Sequence, residues 1–245
     1  MSSLLRAELL KLRTTRTFVA LVGVTLALSL LVVVLTTLLS DEFAPGDTRD
    51  LFSADATGLF IMLLGVIGMA GEWRHKTITG TILAAPDRLR LMTAKMLAYA
   101  AAGVVLSLIV TATIMLVGTI ILSSRDFDIV AFSDLLDVLW RNLLVAALVG
   151  ALGVGIGALV RNQVVAIIAV LVLGFVIEPA LFGLAPDVAR YGPTQGAPAG
   201  IQDIEFFGDD GTDTLAPGIA TLVMLGWIAL FFAAAGVRLR RRDLV

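Results

Sequence analysis

The chain has 245 residues, of which 58% are hydrophobic and 16% charged, with a mean hydropathy of +0.98 and a formal net charge of −2. A soluble domain carries about 25% charged residues, so this composition excludes an ordinary soluble protein and favours a chain that lies mostly in a bilayer. The absence of cysteine excludes disulfides, thiolate metal sites, cysteine nucleophiles and a lipid attached through cysteine.

Apolar runs of about twenty residues recur along the chain, and that length lets an α-helix cross ~30 Å of hydrocarbon. The first run follows four basic residues, but it is longer than the apolar part of a typical signal peptide and no A-x-A-like cleavage site follows it, so we expect it to be retained. The predicted spans are 18–39, 54–73, 95–122, 142–160, 164–184 and 215–237. The sequence therefore predicts an all-α polytopic membrane protein, with one transmembrane domain over residues 1–245.

The residues before the first span have an amphipathic pattern. Leu5, Leu9 and Leu12 fall on one helical face, and the basic residues Arg6, Lys11 and Arg13 lie away from its centre. Such a pattern predicts that residues 1–17 form a helix lying in the membrane interface.

Charges are unevenly divided among the connections between the spans. The connections on one side, residues 1–17, 72–95, 161–163 and 238–245, hold 14 Lys/Arg against 4 Asp/Glu. Those on the other side, residues 40–57, 123–141 and 185–214, hold 4 Lys/Arg against 15 Asp/Glu. Because positive charge near span ends marks the cytoplasmic face, we predict that both termini are cytoplasmic.

The fourth predicted span contains small residues at intervals of four. Ala147, Ala151 and Gly155 form one row, and Gly153 and Gly157 form a G-x-x-x-G pair. Small residues at this spacing let helix backbones approach closely in lipid. The rows predict either packing within the chain or an interface between subunits.

Glu178, followed by Pro179, is the ionisable residue that lies well inside a predicted span. An intramembrane carboxylate is costly to bury and is a functional-site hypothesis by default. The alternative is that Pro179 breaks the helix and opens an external vestibule, in which Glu178 is only hydrated or capped. The connection 185–214 is rich in glycine, proline and acids, and we predict a solvated loop there, with short pieces at 191–200 and 201–207 over the outer mouth.

Motifs for catalysis are absent from the sequence. No G-x-x-x-x-G-K-[ST], H-E-x-x-H or G-x-S-x-G motif occurs, and the single histidine, His75, cannot build a histidine-based metal site. We therefore expect no cofactor or metal in this chain, no enzymatic activity of its own and no nucleic-acid partner.

The polar stretch 72–94 between the second and third spans is too short for a folded domain and too long for a tight turn. Ile78 and Ile82 have helical spacing, and Pro86 with Asp87 supplies a turn in which Asp87 is a candidate N-cap. The stretch predicts either a short helix that another protein contacts or a basic loop that only orients the chain.

The same stretch resembles the E-x-R…G-T…P…R…K pattern of type 2 ABC transporter permeases. The matching residues are Glu72, Arg74, Thr77, Gly80, Thr81, Pro86, Arg88 and Lys95. Residues 8–13 before the first span and 240–244 after the last are similar to that family's ends. The resemblance covers the whole chain, including the order of its spans.

The resemblance implies the membrane subunit of an ATP-driven transporter, usually an exporter, with ATP and Mg²⁺ bound by a separate P-loop ATPase. A second permease copy or a paralogue would complete the pathway across the cell membrane, which we expect to be a bacterial plasma membrane. Glu72 would begin the coupling helix, Arg74 and Lys76 would meet ATPase carboxylates, and Pro86 with Arg88 would shape the return to the third span. The family's outer gate would fall at Glu178 and Pro179.

Two further expectations concern function. Hydroxyl groups on the third span, from Ser107, Thr111 and Thr113, suggest an amphipathic or hydrophobic cargo, although such groups also serve helix packing. The alternative to a permease is a non-transporting membrane scaffold or sensor that binds a cytoplasmic partner through residues 72–94.

Overall fold

The computed structural model describes residues 2–40, 45–53, 55–74, 88–125, 127, 131–160, 162–204 and 214–240. Within these ranges the chain is helical apart from short connections, and no strand is present. Six helical runs are long and apolar enough to cross a membrane. The predicted all-α polytopic architecture is therefore confirmed.

The described helices are numbered here in chain order. The first six are α1 (Ser2–Thr14), α2 (Arg16–Leu39), α3 (Pro45–Ser53), α4 (Thr57–Arg74), α5 (Arg88–Ser124) and α6 (Phe132–Leu159). The fifth membrane run comprises α7 (Gln163–Val172), a π-helical turn (Leu173–Ile177) and α8 (Glu178–Leu184). The last elements are α9 (Pro186–Ala189), α10 (Gly196–Gln202) and α11 (Pro217–Arg240).

Two helices begin well before the apolar runs that predicted them. Helix α5 starts at Arg88 rather than at residue 95, and α6 starts at Phe132 rather than at residue 142. At 1.5 Å per residue, the 37 residues of α5 measure about 55 Å, which exceeds the ~30 Å hydrocarbon core. Charged residues continue these helices outside the lipid, where hydropathy gives no signal.

Helix α6 is the centre of the bundle, with contacts to α3, α4, α5, α7, α10 and α11. Close approach to α4 depends on glycine, because a Cβ atom at Gly157 would lie 2.8 Å from the Val66 oxygen, and one at Gly65 would lie 2.7 Å from the Gly150 oxygen. A Cβ atom at Gly153 would clash with the backbone of Met62 on the same helix pair. The G-x-x-x-G pair thus packs within the chain.

The second small-residue row of α6 faces another helix. A Cβ atom at Gly155 would lie 3.0 Å from the Cβ atom of Phe231 on α11. Ala147 and Ala151, on the same row, are half-buried. Gly155 is therefore occupied by an intrachain contact, while the interface role predicted for the two alanines stays a prediction.

Opposite ends of the bundle collect different connections. At one end α1 meets the end of α4 and the start of α5, and Arg238 donates to the Leu159 oxygen over 2.7 Å. At the other end Arg49 pairs with Asp137 at 2.5 Å, and Arg125 donates to the Ser40 oxygen over 2.9 Å. The basic connections thus share one end; which side of the membrane that end faces stays a prediction.

The predicted helix break at Pro179 is wrong. The chain stays helical from Gln163 to Leu184, and Pro179 is the second residue of α8. Proline has no N–H, and in the register of the preceding π-helical turn the missing donor would serve the Gly174 oxygen. The Gln195 side chain donates to that oxygen instead, over 2.7 Å, so a residue distant in sequence stabilises the unbroken helix.

The prediction of a solvated loop at 185–214 is wrong for residues 196–202, which form a helix where short pieces were also predicted. Helix α10 is buried along its whole length and packs against α6 and α11. Ile201 is fully buried within it. Residues 205–213, which include most of the acids, lie outside the described residues.

Candidate functional site

Four charged side chains meet where α1 contacts the end of α4 and the start of α5. The Lys95 Nζ atom lies 2.6 Å from Glu8 Oε2 and 2.9 Å from Glu72 Oε1. The Lys11 Nζ atom lies 2.7 Å from Glu8 Oε1 and 3.2 Å from Glu72 Oε1. We call Glu8, Lys11, Glu72 and Lys95 the ion cluster; it joins three helices.

Burial makes the ion cluster unusual. Lys95 is 1% exposed and Glu8 3%, whereas the Lys11 side chain is 53% exposed. Burying an unpaired charge would be costly, but two ammonium and two carboxylate groups leave no net charge in the cluster. The energetic cost of burying these charges is thereby offset as long as all four residues of the ion cluster stay in place.

The charges in α1 have shifted proton affinities. Burial favours the neutral form of Glu8, but the ammonium groups of Lys95 and Lys11 outweigh burial and hold the pKa of Glu8 below its ordinary value. Burial likewise disfavours the charged form of Lys11, but the Glu8 and Glu72 carboxylates outweigh it and raise the pKa of Lys11. Both side chains are therefore charged at neutral pH.

The buried face of α1 differs from the predicted leucine face. Leu12 is 6% exposed and Leu5 packs against the core, as expected, but Leu9 is 38% exposed and Glu8 takes the central buried place. The face is rotated by about one residue because Lys95, on a distant helix, supplies a buried partner for Glu8.

The predicted coupling residues are only partly described. Glu72 belongs to the ion cluster, Arg74 is exposed at the last residue of α4, and Arg88 is the first residue of α5. The remaining predicted coupling residues lie outside the described residues: Lys76, Thr77, Gly80, Thr81 and Pro86. The structure thus fixes the two helix ends that flank residues 75–87, and the ion cluster ties those ends together.

A cavity of about 530 Å³ adjoins the ion cluster. Its walls come from α1, α2, α4 and α5, with Gln163 from the start of α7. We call it the cluster cavity. Two oxygen atoms of residues that line it, Glu72 Oε2 and Gln163 Oε1, are buried and have no hydrogen-bond partner among the described residues.

Glu178, a predicted outer-gate residue, is 1% exposed and therefore buried. Its carboxylate accepts hydrogen bonds from the backbone N–H groups of Thr194 (2.8 Å), Gln195 (2.7 Å) and Gly196 (3.3 Å). Glu178 therefore holds the segment that leads into α10 against α8. Its role in a gate, with Pro179, stays a prediction.

A second polar group lies toward the other end of the bundle and was missed by sequence reasoning. Gln202 donates to Asn142 Oδ1 over 2.8 Å, and Asn142 donates to the Phe52 oxygen over 2.9 Å. Thr111 donates to Asp55 Oδ2 over 2.9 Å. Asn142 could have indicated this group from the sequence, because a polar side chain in a largely apolar span needs buried hydrogen-bond partners.

The hydroxyl groups that suggested an amphipathic cargo are used within the protein. Thr111 bonds to Asp55 and lies 3.4 Å from Ser107, and Thr113 donates to the Ile109 oxygen of its own helix over 2.6 Å. These groups therefore carry no separate indication of a cargo.

Among the described residues, no group of three or more His, Cys, Asp or Glu side chains is placed to hold a metal ion. The chemistry of the described part is that of charge pairs and hydrogen bonds between helices.

Comparison with known protein families matches residues 4–177 to the family described as ABC-2 family transporter protein. The matched range runs from α1 to the π-helical turn and includes all four residues of the ion cluster. No curated protein matches the chain.

Proposed function

The chain belongs to the ABC-2 transporter family, and from this premise we propose that it is a permease subunit that exports an amphipathic or hydrophobic substrate. Permeases of this family are the transmembrane subunits of ABC transporters and work with an ATPase. We place the docking of a separate P-loop ATPase, which binds ATP and Mg²⁺, on residues 72–94 at the cytoplasmic face. A second copy or a paralogue completes the pathway in a bacterial plasma membrane.

The observation that carries the proposal is the ion cluster. Residues 75–87 connect α4 to α5, and Lys95 near the start of α5 is bonded to Glu72 near the end of α4 and to Glu8 of α1. Removing one partner from a buried pair of this kind costs about 3–5 kcal/mol, so the three helix ends resist separation. A force applied to the connecting segment would therefore move α1, α4 and α5 as one body.

Exposure of Arg74 supports a docking role for this end of α4. Arg74 is the last residue of α4, follows the ion-cluster residue Glu72 by two positions, and is exposed. An exposed arginine at the base of the connecting segment is suited to bidentate pairing with a carboxylate of a partner protein.

Co-purification tests this proposal. The chain is co-expressed with P-loop ATPases encoded near it, extracted in mild detergent and reconstituted. We expect a stable complex, with the Arg74→Ala variant binding the ATPase about tenfold more weakly, equivalent to ~1.4 kcal/mol. Arg13→Ala removes the same charge from an exposed position on α1 and should bind as the parent does.

Transport is then measured in inverted vesicles against an ATPase variant that cannot hydrolyse ATP. Uptake of an amphipathic substrate that depends on hydrolysis would support export. If no ATPase co-purifies, or if Arg13→Ala weakens binding as much as Arg74→Ala, the proposed docking surface is wrong.

A further inference from the structure

Two residues that line the cluster cavity each carry a buried acceptor atom that has no donor among the described residues. Glu72 Oε2 and Gln163 Oε1 belong to residues that line it, and neither has a donor within the described residues. Buried acceptors without a donor are unfavourable, so a site of this kind is completed by a molecule that supplies N–H or O–H groups. The volume of about 530 Å³ falls in the range of small-molecule pockets, roughly 300–1,000 Å³.

Apart from these acceptors, much of the cavity wall is apolar. Leu12, Phe18, Leu64 and Ile67 line it, together with the ring of Tyr99. An occupant therefore needs an apolar body as well as a donor-bearing head, which is the chemistry of an amphiphile.

Charge decides which head group fits. Lys95 is fully buried and bonded to both carboxylates, but Lys11 is half exposed and its contact with Glu72, at 3.2 Å, is the longest in the ion cluster. An incoming ammonium group can take the place of Lys11 at Glu72, and Lys11 then turns toward water. The buried charge stays balanced in this exchange, whereas an incoming carboxylate would meet two buried carboxylates.

We propose that the cluster cavity binds an amphipathic primary amine, whose ammonium group pairs with Glu72 in exchange for Lys11. This inference rests on the proposed function and names the substrate class of the permease. Because Lys11 belongs to α1, occupation of the cavity removes one of the two cations that tie α1 to Glu72. Binding therefore weakens the attachment of α1 at the end of the bundle where we place the ATPase.

A binding measurement tests the inference without the ATPase. The purified permease is placed in nanodiscs of phosphatidylcholine, which carries no primary amine, and binding of tritiated dodecylamine is measured with empty nanodiscs subtracted. We expect saturable binding that unlabelled dodecylamine competes at least tenfold better than dodecanol, and that dodecanoate does not compete. Equal competition by the alcohol or the carboxylate would overturn the inference.

Matched glycine variants locate the site. A Cβ atom at Gly71 would lie 3.8 Å from Gln163 Oε1 and meet nothing closer, so Gly71→Leu fills the cavity without a backbone clash. A Cβ atom at Gly23, on the exposed face of α2, meets nothing within 4 Å, and Gly23→Leu is the control. We expect at least tenfold weaker amine binding for Gly71→Leu and unchanged binding for Gly23→Leu; unchanged binding in both would refute the location.

Two further arms complete the design. Glu72→Gln removes the pairing carboxylate and should abolish the preference for amine over alcohol, which provides a readout even if Gly71→Leu folds poorly.

Nanodiscs containing phosphatidylethanolamine test the source of the amine: loss of dodecylamine binding identifies a membrane aminolipid as the occupant, and retained binding identifies a free amphipathic amine. Failure of amine binding in a permease that still co-purifies with its ATPase would overturn this inference and leave the proposed function standing.

Discussion

Replacement of Lys95 by methionine should destabilise the junction of α1, α4 and α5. Methionine has a similar length and fits an apolar site, so the change removes the ammonium group with little loss of volume. Glu8 and Glu72 would then face each other with Lys11 as the remaining cation of the cluster. One buried negative charge would be left without compensation.

The size of the effect follows from burial. Breaking a buried ion pair by removing one partner costs about 3–5 kcal/mol, and we expect the lower end, ~3 kcal/mol, because Lys11 is half exposed and admits water. For chains of this size, 1 kcal/mol corresponds to roughly 2–4 °C in the unfolding midpoint, so Lys95→Met should unfold about 6–12 °C below the parent. Lys11→Met also leaves one uncompensated carboxylate, but it should cost less than Lys95→Met, because the Lys11 side chain is half exposed and its place is open to water.

Thermal unfolding in nanodiscs, followed by tryptophan fluorescence, measures these values. The informative variant is Lys95→Met combined with Glu72→Gln, in which Lys11 balances Glu8 and the cluster is again neutral. The double variant should be more stable than Lys95→Met alone. If Lys95→Met unfolds with the parent, or if the two single losses simply add in the double variant, the charge-balance reasoning fails.

Two other predictions concern the ends of the bundle. Because the folded pKa of Glu8 lies below its ordinary value of about 4.3, its stabilisation of α1 is present above that value and is lost as the pH falls through the folded pKa. Spin labels on Ala7→Cys and Leu97→Cys, in a chain without native cysteine, should keep a constant separation from pH 7 to about pH 5 and move apart only in stronger acid; separation above pH 5 would contradict the assignment. Glu178→Gln leaves one acceptor oxygen for three N–H groups, so hydrogen exchange at residues 194–196 should speed up about tenfold or more while α6 stays protected, with each lost bond worth ~1–3 kcal/mol. Unchanged exchange there would show that the carboxylate does not hold the segment.

The architecture follows from features that act along the chain. Hydrocarbon thickness sets the length of an apolar helix, so six spans could be counted from the apolar runs of the sequence. The G-x-x-x-G pair predicted a close helix contact, because the small size of glycine lets two helix backbones approach each other. Neither feature identifies the partner helix, and the contact of Gly157 with Val66 required the structure.

Sites formed between distant residues could not be predicted in the same way. Glu8 and Lys95 are separated by 87 positions, and Glu8 occupies a place that periodicity alone assigned to a leucine face. Pro179 likewise indicated a helix break because its local effect is unfavourable, while Gln195 compensates for that effect across 21 positions. In both cases a distant residue makes favourable a local arrangement that is unfavourable by itself. A single sequence does not show which distant residue that is.

Glu72 connects the two proposals made for this chain. Glu72 lines the cluster cavity; one of its carboxylate oxygens holds α4 to α5 and α1, and the other is buried without a donor among the described residues. Arg74, the exposed residue proposed to meet the ATPase, follows two positions later, which is about 3 Å along the helix axis. An exchange of Lys11 for a bound amine at Glu72 would therefore act within one helical turn of the docking surface, so that substrate binding and ATPase contact would bias the same helix end. Coupling of this kind is reciprocal, and ATPase docking should change amine affinity by the same factor as the amine changes ATPase affinity.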